Sequence, residues 1–148
     1  MNRTYSAKPS DVERKWYIID ASDNTLGRIS TQAAKLLTGK DKPMFTKHID
    51  CGDYVVVTNA GNLKVSGNKL KDKKYYHHSQ HPGGLNTRTL GEQLNKDPAK
   101  VIAHSIRGML PDNKLLDSRL KRLKIYSGSE HKHAPQQPIQ LDLKPGAK

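Results

Sequence analysis

Three histidines lie within five positions of one another in the stretch KKYYHHSQHPGGL, Lys73 to Leu85, behind two lysines and two tyrosines. His77, His78 and His81 raise two chemistries: a metal site, or a basic and aromatic surface shaped to lie against a polyanion. Spacing argues against the ion. In an extended chain His77 and His78 point to opposite faces, so they do not share one metal. His131 and His133 would face the same way in an extended tail, but two ligands fall short of a zinc site, and His48 with Cys51 lacks identified partners. No metal and no cofactor are expected.

The surface needs less. Lys69, Lys71, Lys73 and Lys74 can each neutralise a phosphate, and Tyr75, Tyr76, His77 and His78 offer stacking faces or hydrogen bonds. Gly83 and Gly84 allow bare backbone to come close to a partner. A second basic group, IRGMLPDNKLLDSRLKRLK, interleaves Arg107, Lys114, Arg119, Lys121, Arg122 and Lys124 with leucines, as in a helix with one buried and one cationic side. The plainer alternatives are an edge strand carrying solvated lysines, and a solvated helix face with Asp112 and Asp117 as local partners.

Composition decides between them. The chain has 148 residues with 26 Lys and Arg against 14 Asp and Glu, a net charge of +12. Such an excess repels itself unless a polyanion neutralises it, and nucleic acid is the leading partner. The excess is also lopsided: residues 1–60 carry nine basic and seven acidic side chains, whereas residues 61–148 carry seventeen and seven. The anion-facing surface is expected mostly from the second part.

Enzyme signatures fit poorly. GNLKVSGNK has five residues between its glycines, Asn68 before Lys69, and Leu70 where a phosphate loop needs Ser or Thr. TLGR opens a helix after a strand without the glycine pattern of a dinucleotide site. Asp20, at a strand end, is where a catalytic carboxylate could sit, although a turn role is commoner. A metal- or carboxylate-dependent enzyme acting on nucleic acid, and a regulatory RNA or DNA binder, stand as the alternatives to a structural RNA-binding protein.

Length and patterning supply the scaffold. The chain suits one domain, 1–148, with a core mainly of Val, Ile and Leu, since Phe and Trp occur once each. A single cysteine, Cys51, excludes an internal disulfide and suggests a reducing compartment. The start, MNRTYSAKPSDVERK, has no apolar core of an export signal, and no run of eighteen apolar residues occurs, so neither export nor membrane insertion is expected.

KWYIID predicts a strand. TLGRISTQAAKLLTG predicts a helix over 25–38, with Thr25 as N-cap and Gly39 as its stop. DYVVVTN, apolar at consecutive positions, predicts a strand covered on both faces, which completes a βαβ unit. KKYYHH predicts a further strand and TLGEQLNKD a short helix. In DPAKVIAHSIRGMLP, Asp97 caps, Pro98 takes the first helical position, and Val101, Ile102, Ile106 and Met109 share a face. NKLLDSRLKR predicts a helix capped by Asn113, LKIYSG predicts the last strand, and 129–148 is expected to be an irregular tail that drapes over the domain or extends to a partner.

Taken together, KWYIIDASDNTLGRISTQAAKLLTGK, HIDCGDYVVVTNA, VSGNK, KKYYHHSQHPGGL, IRGMLPDN and LKIYSGSEHKHAPQQP closely resemble the bacterial form of the thirteenth large-subunit ribosomal protein family, over nearly the entire chain. The resemblance implies an α/β fold: a three-layer α/β/α domain with a four-stranded parallel or mixed sheet in the order 3-2-1-4, plus the extended C-terminal tail. It implies a cytoplasmic, non-enzymatic ribosome component that binds large-subunit rRNA, enters early in subunit assembly and packs beside neighbouring large-subunit ribosomal proteins. No membrane and no small-molecule substrate enter that picture. Carried over by position, the RNA-facing residues are Arg28, Lys40, Lys42, Lys47, His48 and Lys69, then Tyr76, His77, His78 and Arg107, then Lys121, Lys124, His131, His133 and Gln136. The basic pattern adds Lys71, Lys73, Lys74 and Arg122. In LPDNKLLDSR the chain departs from the family pattern, with Asp112 at a basic position.

Overall fold

The computed structural model describes residues 5–143; the closing KPGAK, counted in the expected tail, lies outside them. In chain order the elements are β1 (Trp16–Asp20), α1 (Leu26–Thr38), β2 (Tyr54–Thr58), α2 (Lys69–Asp72), β3 (Lys74–His78), β4 (Leu85–Thr89), α3 (Leu90–Lys96), α4 (Pro98–Met109), α5 (Leu116–Lys121), β5 (Leu123–Ile125) and β6 (Ile139–Gln140). Among the described residues no helix is long and apolar enough to cross a membrane.

The main sheet is all parallel, in the order β5-β2-β1-β6. Counting only its own strands, that is 3-2-1-4. Trp16 lies opposite Tyr54 and Asp20 opposite Thr58. Alternation along the strands then puts Tyr17, Ile19, Val55 and Val57 on one face. On that face Ile29, Ala33 and Leu37 of α1, Ile102 and Ile106 of α4 and Leu116 of α5 join Ile19, Val55 and Val57 in one buried cluster. Burying each large aliphatic side chain contributes about 1.5–3 kcal/mol. Where the two long helices meet, Ser30 Oγ donates to Ser105 Oγ at 2.8 Å, so the polar atoms they bring inward satisfy one another. On the opposite face Trp16 and Tyr54 stack at 4.2 Å, and His133 packs against Trp16 at 4.8 Å.

The helix ends follow local chemistry. Thr25 takes the N-cap position of α1, but its hydroxyl caps nothing; its carbonyl accepts the Ile29 N–H at 3.1 Å. Gly39 closes that helix with φ +80°, donating its N–H to the carbonyls of Lys35 and Leu36. Asp97 caps α4 through Oδ1, which accepts the Lys100 N–H at 3.2 Å. The expected Asn113 cap is displaced: Asn113 Oδ1 accepts from Leu115 N–H within the preceding turn, and α5 starts at Leu116 without a side-chain cap.

One expectation changes, and the structure adds to another. KKYYHH is the expected strand, β3, and it pairs antiparallel with β4 in a separate two-stranded sheet. Its partner, Leu-Asn-Thr-Arg-Thr, carries no hydrophobic alternation because most of it is exposed. The stretch after Ser129 is not wholly irregular either: β6 comes from it, and Leu141 N–H donates to the Ile18 carbonyl at 3.0 Å. Backbone bonding to an existing sheet edge holds it there, and the alternation Ile139, Leu141, Leu143 turns Leu141 and Leu143 against the core.

Candidate nucleic-acid interface

Because β1 and β2 run parallel with α1 between them, the chain leaves the sheet at two opposite ends. The start of α1 marks the end near Asp20 and Thr58, and the loop 39–53 marks the other. The sequence-predicted cations divide between these ends, and their fates differ.

At the first end the β3–β4 hairpin carries most of the candidates. Its register, Lys74 opposite Thr89 through His78 opposite Leu85, puts Tyr75 and His77 on one side and Lys74, Tyr76 and His78 on the other. Lys69 and Lys71 on α2, Lys73 in the link, and Lys74, Tyr76, His77 and His78 on β3 are all exposed. Among the described residues none of these four lysines forms an ion pair. Lys73 Nζ sits 5.5 Å from the centre of the Tyr75 ring, a cation–π contact that leaves its charge available. The hairpin is fixed to the domain through α2 and α3. Leu90 is fully buried, Thr89 Oγ1 accepts the Glu92 N–H at 3.3 Å, and Glu92 Oε2 accepts the Thr89 N–H at 2.9 Å.

Arg28 in the first turn of α1 and Arg107 in the last turn of α4 are exposed. A hollow of about 290 Å³ brings Gly27, beside Arg28, together with Lys69 and Lys73. A larger groove of about 630 Å³ brings Arg107 together with Tyr75 and Tyr76. The structure thus brings Lys69 and Lys73 close to Gly27 beside Arg28, and Arg107 close to Tyr75 and Tyr76, with Lys71, Lys74, His77 and His78 exposed on the same α2–β3 segment. His78 is partly committed to the turn, since its Nδ1 accepts the Gln80 N–H at 3.0 Å. Gly84 also serves the turn: a Cβ there would lie 2.9 Å from the His81 carbonyl oxygen, whereas Gly83 has φ +71° and open space around it.

At the opposite end the cations are largely consumed. Arg122, expected to face a partner, is buried: both terminal nitrogens donate to the Asp50 carboxylate, Nη2 at 2.6 Å from Oδ1, and Nη2 also donates to the Leu37 carbonyl at 3.3 Å. Arg119, read as part of the cationic helix face, is only 1% exposed, with Nε 3.9 Å from Asp50 Oδ1. Burial pushes the Arg119 pKa below its ordinary value, and Arg122 beside it acts in the same direction. Lys42 Nζ donates to Asp53 Oδ1 and to the Glu13 carbonyl, both at 2.6 Å. The close packing of this corner requires Gly52, where a Cβ would fall 1.8 Å from the Leu37 carbonyl oxygen. Lys40, Lys47 and His48 remain exposed on the loop.

The last group sits beside the sheet. Lys121 and Gln136 are exposed, whereas Lys124, His131 and His133 are half-buried. His133 packs on Trp16 and Tyr126, and His131 Nδ1 accepts the His133 N–H at 3.3 Å, so both rings work first as packing groups. Asp20, the candidate catalytic carboxylate, holds a turn. Its Oδ1 accepts from Ser22 N–H and Oγ at 2.8 and 2.7 Å, and its Oδ2 accepts from Asn59 Nδ2 at 2.9 Å. Burial alone would raise its pKa, but these donors outweigh it and hold the carboxyl below its usual value.

Sequence reading missed Arg88, Lys100 and His104. Arg88 lies opposite Tyr75 on the unforeseen strand β4. Lys100, His104 and Arg107 fall at i, i+4 and i+7 on α4, a polar stripe that helical spacing does reveal.

A model of the ribosomal protein L13 family matches residues 14–132. The chain belongs to the ribosomal protein L13 family. It is similar to proteins named large ribosomal subunit protein uL13. The Listeria welshimeri protein is 53% identical over 144 residues, covering 97% of this chain and 99% of that one. The Ligilactobacillus salivarius protein is 52% identical over 143 residues, covering 97% of each. The Syntrophomonas wolfei protein is 52% identical over 142 residues, covering 96% and 99%. L13 proteins are structural, non-enzymatic ribosomal components, which agrees with Asp20 being used up in a turn.

Proposed function

We propose that this chain is a component of the large ribosomal subunit in the cytoplasm, where it binds large-subunit rRNA through the hairpin end, joins the particle early in assembly and packs beside neighbouring ribosomal proteins. The observation that carries the reading is the cluster of exposed lysines without ion pairs, Lys69, Lys71, Lys73 and Lys74, on a hairpin that also exposes Tyr76. Unneutralised cations on a fixed support release counterions from a phosphate backbone, and backbone and shape contacts then dominate over base reading. Arg28 and Arg107 extend the same surface. Lys40, Lys47, His48, Lys121 and Gln136 are exposed and remain available for RNA contacts elsewhere. Lys42, Lys124, His131 and His133 have at most a partial share, and the buried, paired Arg122 has none.

The test is titration of the full chain with a large-subunit RNA fragment. Submicromolar binding at low salt is expected, with log K falling several units per decade of salt. A flat salt dependence removes the electrostatic basis of the reading. Retention on large subunits through a high-salt wash distinguishes an integral component from a transient RNA-binding factor. Early joining is checked by the chain's presence on precursor particles.

A further inference from the structure

Between the hairpin, α4 and the free edge of β5 lies the groove of about 630 Å³. Its volume falls in the ~300–1,000 Å³ range of sites that enclose small ligands. We infer that this groove takes an unstacked nucleotide of single-stranded or looped RNA, its base held against Tyr75 and His104 and its phosphate met by Lys100 and Arg107.

Leu123 and Ile125 give the groove an apolar lining, which suits the flat face of a base. His104 is exposed, a ring left open to a stacking partner. Tyr75 and His104 meet edge to face at 5.4 Å and 79°, so one wall is already ordered.

Charge decides between RNA and a polypeptide. Arg107 is exposed and outside any ion pair among the described residues, and Lys100 meets only Asp97, at 3.7 Å on the surface. A second hollow of about 520 Å³ shares Tyr75, Tyr76 and Lys100 with the first and adds Arg88 and Lys96. A phosphate backbone crossing the tyrosines from one hollow to the other meets a cation on each side. A neutral apolar peptide leaves those cations unanswered.

The inference rests on the RNA-binding reading and specifies where a base goes. Full-length protein is titrated at low salt with octauridylate carrying one 4-thiouridine and, separately, with a perfect RNA duplex. Photo-crosslinks to Tyr75 or His104 are expected. Tyr75→Leu combined with His104→Leu should weaken octamer binding about tenfold, equivalent to loss of one stacked base. Duplex binding should change less than twofold. Tyr75→Phe, which keeps the ring, should leave octamer binding within about twofold. Octamer binding indifferent to the double variant, or crosslinks confined to the α2 lysines, with duplex binding intact, overturns the groove and leaves the wider interface standing. Failure of every RNA to bind overturns the interface itself. With p-benzoylphenylalanine in place of His104 in assembled large subunits, crosslinks to RNA are expected; crosslinks only to protein, or none, overturn the proposal.

Discussion

The two ends of the sheet use the same residue types to opposite effect. Near Asp50 and Asp53, Arg119, Arg122 and Lys42 surround two carboxylates and are absorbed into the structure. Around the hairpin, Lys69, Lys71, Lys73 and Lys74 have Asp72 in sequence reach but no ion pair among the described residues, and they stand in solvent. A cation's role is set less by its type than by whether a buried carboxylate meets it. A paired, desolvated guanidinium fixes a corner of the fold, whereas an unpaired ammonium keeps its charge for a partner.

The strongest way to break this contrast is at Asp50. Asp50→Ala leaves Arg122 and Arg119 charged, buried and uncompensated, and urea unfolding should show a loss of about 3–5 kcal/mol. RNA affinity of the protein that remains folded should stay within about twofold, because no hairpin residue is disturbed.

The converse experiment replaces Lys69, Lys71, Lys73 and Lys74 together by Ala. Stability should shift by only about 0.5 kcal/mol per surface site or less, while the slope of log K against log salt should shrink by roughly three as four phosphate contacts are lost. A slope unchanged from wild type would place the binding surface elsewhere.

A smaller effect concerns acid. Because the folded Asp20 carboxyl is held below its usual value, its donors contribute stability above the unfolded carboxyl range, and that contribution disappears as pH falls through the folded pKa. Asp20→Asn should therefore lose stability less steeply than wild type below about pH 4. Nuclease activity is not expected from either protein.

The smallest change is expected at Arg119. Its Nε and Nη1 are buried without a hydrogen-bond partner, its ion pair with Asp50 is long at 3.9 Å, and Asp50 remains bound to Arg122 when it is removed. Arg119→Met should alter stability by no more than about 1 kcal/mol, in either direction. A loss comparable to that of Asp50→Ala would show that Arg119 is a necessary member of the corner.

Particular elements show how far the sequence could be read. The helices α1 and α4 were legible because Leu, Ile and Val recur at helical spacing and because Gly39 and Asp97 mark their ends by local chemistry. The buried strand β2 announced itself as a run of valines. By contrast β4 is polar and exposed and carries no periodic signal, whereas the two-residue β6 opens a short alternation, Ile139, Leu141, Leu143, that is hidden among the prolines and polar residues around it. The hairpin candidates were legible from density of charge and aromatic rings. The burial of Arg122 was not legible because Asp50, 72 positions away, carries no mark of contact in the sequence.

By itself, then, the chain's order of residues determined the βαβ start, the aliphatic core, the excess of positive charge and its bias toward the second part, since these depend on composition and on neighbours a few positions apart. Only the tertiary structure decided which cations remain free, because pairing and burial join residues far apart in the chain. It also decided that Tyr75, His104 and Arg107 share one groove, since a hairpin and a helix had to be brought together to make its walls.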